Sequence, residues 1–463
     1  MELNNIYFIG IGGIGMAALA RYFLSKGFNV AGYDRTLSAL TEALVREGAA
    51  VSDIDSMDAV PEAFTDPDDT LVVYTPAVPK DNVQLRFFTD HGFNVMKRAA
   101  VLGWVTKLSN GICFAGTHGK TTTSSMAAHI MQTSSIGCNA FLGGILRNYG
   151  SNLLLSPKSP YSVIEADEYD RSFHHLHPRI AVITATDPDH LDIYGNEENY
   201  LESFAHFTEL IDPDGYLILH EGLKLRPRPA EGVRTYTYSR DSGDFHAENI
   251  RYGEGTITFD FVAPDHRIND VELGVPVEIN IENAVAAMAA CHLTGCPTDD
   301  DMRRAMASFQ GAERRFQFLL KQTGAGGKVV IDDYAHHPDE LKMSIRSVKA
   351  LYPDRKLTVA FQPHLYSRTR DFAAEFAEAL SMADEVILTD IYPARELPIP
   401  GVTSKIIFDK INCNNKVLIS KLDFVETIKN RNFDILLSLG AGDLSNLLPQ
   451  VVDFLTDENK KQS

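Results

Sequence analysis

Ala115-Gly-Thr-His-Gly-Lys-Thr-Thr122 decides the fold of this chain, because eight residues join a strand to a helix. The apolar run before it, Gly111-Ile-Cys-Phe-Ala115, predicts a buried strand, and the stretch after Lys120 predicts a helix. A strand feeding a helix through a glycine turn is the first half of a β-α-β unit, so the expected architecture is a mostly parallel sheet covered by helices. The turn is also a phosphate cradle. Loop amides over Gly116, Thr117, His118 and Gly119, with Lys120, can hold β- and γ-phosphates. The hydroxyl of Thr121 can ligate magnesium, and Thr122 follows in the same turn. The leading glycine of the usual P-loop would fall at Phe114, so the shorter spacing predicts a particular subset of ATP users.

Towards the N-terminus, Gly10-Ile-Gly12-Gly-Ile-Gly15 repeats this arrangement after the run Ile6 to Ile9, and Asp34 ends the next strand. That is the spacing of a dinucleotide fingerprint, which offers amides and a positive helix end to a diphosphate. By itself the loop leaves open a nicotinamide dinucleotide, another diphosphate, or a tight turn with no ligand. Two glycine loops on separate units imply two phosphate-bearing substrates, such as a nucleotide-linked compound and ATP. A simple dehydrogenase would not need the second.

Towards the C-terminus, strand-like runs at Tyr161 to Ile164 and Ile180 to Thr184 end in Glu165-Ala-Asp-Glu168 and Asp187-Pro-Asp-His190. Hard cations take oxygen ligands, so Glu168 is the first candidate for magnesium; His190 is an atypical ligand by that rule, with a structural turn histidine as its other reading. Further runs at Lys328 to Ile331, Leu357 to Phe361, Glu385 to Leu388 and Ile435 to Leu439 follow the glycine-rich joint 324–327. At about 150 residues per domain, 463 residues predict roughly three domains. The expected limits are 1–108, 109–322 and 323–463: Rossmann-like, P-loop-type ATPase, and Rossmann-like.

Composition narrows the function classes. A net charge of -19 argues against a general nucleic-acid binder, which needs basic surface to displace phosphate counterions. No apolar stretch approaches the roughly 18 residues that a bilayer span requires, and no basic leader precedes the first strand, so a cytoplasmic protein without membrane association is expected. Five scattered cysteines fit reduced thiols better than a disulfide framework. The cluster His174, His175, His177 and the segment Cys291-His-Leu-Thr-Gly-Cys296 read as loop and helix-end residues, because converging metal ligands are missing.

Gly116-Thr-His-Gly-Lys-Thr121, Glu165-Ala-Asp-Glu168 and Asp189-His-Leu-Asp192 together resemble the Mur ligases, over essentially the whole chain. The opening glycine loop, Asp332-Asp-Tyr-Ala-His-His-Pro338 and Phe361-Gln-Pro-His-Leu-Tyr-Ser-Arg-Thr-Arg370 resemble the branch that joins L-alanine to UDP-N-acetylmuramate. The resemblance implies an ATP- and magnesium-dependent, amide-forming ligase of peptidoglycan precursor synthesis, acting as a monomer or homodimer. It assigns the UDP-sugar to Gly10, Gly12, Gly13, Gly15 and His190, and ATP to the phosphate loop with Asn280, Asn283, Arg315 and Asp332. Magnesium falls to Thr121, Glu168 and His190, and the amino acid to Tyr334, His336, Arg368 and Arg370. Lys120, His336 and Arg368 become the catalytic candidates. Three positions depart from common patterns. Ile279 stands where the family has His before Asn280, Leu365 stands where an Arg is usual, and Phe204 stands where several relatives carry a carbamylated lysine. Ala335 and Tyr169 lean towards a rival branch that attaches a whole tripeptide to the same sugar; a nucleotide-binding regulator without catalysis is the alternative of another class.

Overall fold

The computed structural model describes residues 3–75, 77–188, 191–253, 255–313, 315–322, 326–394 and 396–462. Two compact units form, one from Met1–Glu248, Asp260–Val271 and Glu282–Ala307, the other from Asn249–Phe259, Glu272–Ile281 and Ser308–Ser463.

The first unit holds two sheets. Strands β1 (Asn5–Ile9), β2 (Asn29–Tyr33), β3 (Ala50–Ser52), β4 (Thr70–Tyr74) and β5 (Asn94–Lys97) form a parallel sheet in the order β3-β2-β1-β4-β5. Every residue of β1 is buried, which is why its sequence is a continuous apolar run rather than an alternation: helices cover both faces of such a sheet. Strands β6 (Asn110–Ala115), β7 (Asn139–Leu146), β8 (Ser151–Leu154), β9 (Tyr161–Ala166), β10 (Pro178–Ile183), β11 (Tyr216–His220) and β12 (Arg234–Tyr238) form the second, in the order β12-β11-β10-β6-β9-β7-β8. Only the edge strand β8 runs antiparallel. Ala115 at the end of β6 pairs with Ala166 of β9 and Ile183 of β10, so the loops that follow these three strands leave the sheet at one level.

A three-stranded sheet follows, β13 (His246–Gly253), β14 (Thr256–Ala263) and β15 (His266–Glu272). In the second unit, β16 (Gln317–Lys321), β17 (Val329–Asp333), β18 (Leu357–Phe361), β19 (Glu385–Leu388), β20 (Lys416–Leu418) and β21 (Ile435–Leu439) order as β16-β17-β21-β18-β19-β20. β16 is antiparallel to β17 and the other pairs are parallel. Leu439 pairs with Asp333 and with Phe361, which aligns the ends of β17, β21 and β18. Ligands of open parallel sheets bind beyond such carboxyl ends.

The mostly parallel α/β class expected from the sequence is the class observed. Among the described residues no helix is long and apolar enough to cross a membrane. Of the glycine-rich joint at 324–327, residues 324 and 325 lie outside the described residues.

Candidate active site

The phosphate loop is held open by its neighbours. Gly116 adopts φ 143°, and a Cβ there would stand 2.2 Å from Thr184 Oγ1 and 2.7 Å from the Ala185 amide, so no other residue fits. Thr184, just past β10, donates its hydroxyl to the His118 carbonyl. Thr117 Oγ1 donates to the Asp187 carbonyl at 2.7 Å and meets the buried Tyr200 hydroxyl at 2.8 Å. Gly119, with φ 83°, caps the helix Lys120–Thr133, whose first turn therefore points its amides into the loop. His118 is exposed, and Thr121 and Thr122 are half-buried.

Two carboxylates arrive from the end of β9. Lys120 Nζ donates to the Gly116 carbonyl and to Glu168 Oε1, at 2.5 and 3.0 Å, and stands 2.8 Å from Glu168 Oε2. Glu168 is almost completely buried. Thr121 donates its hydroxyl to Glu165 Oε1 at 2.9 Å, and Glu165 Oε2 accepts the Gly143 amide at 2.8 Å. Burial raises the Glu165 carboxyl, and its hydrogen bonds and the charge of Lys120 offset this only in part. A cation beside it would supply the missing charge. A hydroxyl and two carboxylates around a phosphate loop form the all-oxygen donor set that magnesium takes, so the residues present fit ATP and its metal. Glu165 had been given no role from sequence, where four acids in one short segment look alike; its bond to Thr121 singles it out. Asp189 and His190 lie outside the described residues.

Asn283 stands against this loop. Its Oδ1 accepts from Thr123 Oγ1 at 3.2 Å and lies 3.1 Å from where a Cβ on Gly119 would be. Asn280, in the other unit, is buried and donates its amide to the Val275 carbonyl at 3.1 Å. Phe204 is fully buried against Phe173 and Tyr200, each ring centroid 5.2 Å away. His174 is engaged by Ser203 and stacks on Phe173.

In the first glycine loop most amides hold the turn itself. Gly10 and Ile11 donate to the Tyr33 carbonyl, Gly12 to Asp34 Oδ2 at 2.8 Å, and Gly13 to the Gly10 carbonyl. Asp34 is thus a brace of the loop. The loop opens into a cavity of about 440 Å³, whose wall runs from Gly13 and Gly15 through Arg98 and Gly143 to Glu165.

In the second unit, the loops after β17 and β18 bring Tyr334, His336, His364 and Arg368 together. His336 lies 5.1 Å from the Tyr334 ring and 6.0 Å from that of His364, which stacks on Tyr392. Arg368 Nη1 and His364 Nδ1 are buried with no hydrogen-bond partner among the described residues. Burial, with the Arg368 cation adding to it, holds the imidazoles of His336 and His364 below their ordinary pKa, so both are neutral near pH 7. Arg315 belongs to the same electrostatic neighbourhood, since its charge acts on Asp333, His336 and Glu340. Asp332 is buried at the end of β17. Arg370 is not brought to this cluster; it is exposed and pairs with Asp371 at 2.7 Å. Leu365 occupies a left-handed φ of 69° as the residue before the helix Tyr366–Asp371.

Family models match most of the chain: the Mur ligase family, catalytic domain over residues 5–109, the Mur ligase middle domain over 114–291, and the Mur ligase, glutamate ligase domain over 314–444. The chain is 56% identical over 460 residues to the UDP-N-acetylmuramate--L-alanine ligase of Phocaeicola vulgatus, covering 99% of each. It is 57% identical over 465 residues to that of Parabacteroides distasonis, covering 100% of each. The crystal structure of the UDP-N-acetylmuramate-alanine ligase of Thermotoga maritima superposes with a TM-score of 0.75 at 27% identity, over 98% of this chain and 99% of that one. A murein peptide ligase from Psychrobacter arcticus shares the fold, with a TM-score of 0.59 at 21% identity over 97% and 98%. With its phosphate loop, paired carboxylates and parallel sheets, the chain belongs to the Mur ligase family.

Proposed function

We infer that this protein is an ADP-forming ligase that joins L-alanine to the lactyl carboxylate of UDP-N-acetylmuramate. The observation that carries the reading is Lys120 and Thr121 of the phosphate loop facing two carboxylates, buried Glu168 and half-buried Glu165, in a chain more than half identical over its full length to L-alanine ligases.

A carboxylate is a poor electrophile towards an amine, and ATP supplies the missing drive: the carboxylate takes the terminal phosphoryl group, and the amine then displaces phosphate. Lys120 and the loop amides hold the phosphates and offset charge as it moves to the β-phosphate. Thr121 and Glu168, with Glu165 beside them and His190 from the neighbouring loop, would hold magnesium, which would supply positive charge to offset that of the phosphates. Asn283, Asn280, Arg315 and Asp332 are proposed to hold the remainder of ATP. Arg368 would grip the alanine carboxylate through two charge-assisted bonds, with Tyr334 beside it. Neutral His336 would accept the proton that the attacking amine loses. The proposed division of labour follows 1–108, 109–322 and 323–463 for UDP-sugar, ATP and amino acid, in a cytoplasmic monomer or homodimer.

Phosphate release measured with ATP, magnesium, UDP-N-acetylmuramate and a panel of amines tests the reading. L-alanine should outrun glycine, serine and the tripeptide L-alanyl-γ-D-glutamyl-diaminopimelate. Faster turnover with the tripeptide would reverse the assignment to the rival branch.

A further inference from the structure

Directly behind Glu168 the backbone is strained. Asp170 and Arg171 both adopt left-handed conformations, at φ 50° and 55°, although neither is glycine. A Cβ makes that conformation costly, and two such residues in succession persist only where their surroundings impose them. Three bonds do so here. The Arg171 amide donates to the Glu168 carbonyl at 2.9 Å, the Phe173 amide to the Asp167 carbonyl at 3.0 Å, and the Tyr194 hydroxyl to the Glu168 carbonyl at 2.5 Å. The first two are local to the turn. The third comes from the helix Leu191–Tyr194, which follows directly on His190. Tyr194 is almost fully buried, and the Arg171 guanidinium lies 4.9 Å over its ring, so one side chain touches both ends of the strained turn.

Tyr200, on the next helix, Glu197–Glu209, does the same for the phosphate loop. The Thr117 hydroxyl gives its one proton to the Asp187 carbonyl, so across the 2.8 Å to Tyr200 the tyrosine hydroxyl donates and Thr117 accepts. The two tyrosine rings meet edge to face, with centroids 4.9 Å apart and planes at 86°, and Tyr200 packs in turn on Phe204. A buried tyrosine hydroxyl needs a partner, and any carbonyl of the core would serve. Both of these reach instead into the loops that carry the site.

We propose that Tyr194 and Tyr200 are positioning residues that fix the gap between the phosphate loop and Glu168, and so set how well the site accepts magnesium on ATP. Lys120 Nζ and Glu168 Oε1 stand 3.0 Å apart across that gap. Without the Tyr194 hydroxyl the strained turn can relax and carry Glu168 away, while the phosphate loop keeps its own hold on ATP. Without the Tyr200 hydroxyl the loop itself loosens. This rests on the reading of Thr121 and Glu168 as the magnesium seat, and its test separates the two.

The full-length protein and its Tyr194→Phe and Tyr200→Phe variants are titrated calorimetrically with ATP, once with magnesium and once with EDTA, and are melted thermally. Each change deletes one hydroxyl and keeps the packed ring. In Tyr194→Phe the affinity for metal-free ATP should stay within about twofold of wild type, while the gain in affinity that magnesium confers should shrink about 3- to 10-fold, the contribution of one hydrogen bond. The magnesium concentration for half-maximal turnover should rise in step. In Tyr200→Phe, ATP should weaken by a similar factor in both conditions. A Tyr194→Phe protein that melts lower but keeps the full magnesium gain overturns the proposal, because a tyrosine that only packs would behave so. Equal weakening of ATP with and without magnesium in Tyr194→Phe, or wild-type ATP affinity in Tyr200→Phe, overturns it as well. A wild type whose ATP affinity ignores magnesium contradicts the magnesium seat itself and takes this proposal with it.

Discussion

Arg368 is the residue on which the proposed amino-acid recognition turns. Alanine offers a carboxylate, an amine and one methyl group, so little of its binding can come from buried apolar area. A buried guanidinium nitrogen without a partner, beside two neutral imidazoles, is matched to that carboxylate. Charged hydrogen bonds contribute about 1.5 to 3 kcal/mol, so Arg368→Ala should lower kcat/KM for alanine roughly 10- to 150-fold. Affinity for UDP-N-acetylmuramate should change far less. Kinetics within about twofold of wild type would remove Arg368 from the role. The same cation helps keep His336 neutral. Arg368→Gln should therefore raise the His336 pKa towards its ordinary value, and an NMR titration that leaves it unmoved would break the link. Glu168→Gln should lower turnover and raise the magnesium requirement; an unchanged requirement would confine Glu168 to holding Lys120 and leave Glu165 as the ligand. At this scale the sequence was legible where a residue type is chemically singular, as with Lys120 or Arg368. It was opaque where several like residues compete. Glu165 and Glu168 are told apart only by which side chain each meets, and Arg368 and Arg370 only by which one turns inward.

Among the elements, strands buried on both faces were readable as apolar runs, and Ile6 to Ile9, Leu357 to Phe361, Glu385 to Leu388 and Ile435 to Leu439 lie in or coincide with observed strands. Edge and exposed strands were not. β7 carries two glycines, β13 and β15 are largely exposed and polar, and β16 is half-buried with weak alternation. Their pairing is set by neighbours far away in sequence, which local pattern does not encode. Glycine loops were legible because backbone conformation demands them, and this gives a test. Gly116→Ala should cripple ATP binding, since its Cβ meets backbone and hydroxyl atoms that cannot withdraw; Gly27→Ala, also at positive φ but with nothing within 4 Å, should cost only about 1 to 2 kcal/mol of strain. Equal ATP affinity in both variants would refute the loop geometry. The helix behind the loop carries a buried histidine, His129, bonded to the Tyr149 hydroxyl at 2.8 Å, and burial lowers its pKa to about 4. A depressed histidine stabilises the fold in its neutral form. That stability is complete above the unfolded pKa of about 6.5 and drains away as pH falls towards 4, by up to about 3 kcal/mol. His129→Gln should flatten the fall in melting temperature over this window, and an unchanged slope would assign acid lability elsewhere.

For the whole molecule, the central consequence of the proposed function is that two phosphate-bearing substrates would occupy separate loops, one after β1 and one after β6. Lys120→Ala should abolish turnover while UDP-N-acetylmuramate still binds, and joint loss of both in a folded protein would contradict the separation. Three of the four sheets are mostly parallel and end in loops of their own, which suits the proposed ligase, since each of its three substrates needs its own seat. Direct proof lies in the oxygen atoms. UDP-N-acetylmuramate labelled with ¹⁸O in its lactyl carboxylate is incubated with ATP, magnesium and L-alanine, and both products are analysed by mass spectrometry. The account predicts one labelled oxygen in the released phosphate and one retained in the new amide of a product enlarged by a single alanine. Unlabelled phosphate, or phosphate released with no alanine joined to the sugar, would contradict it.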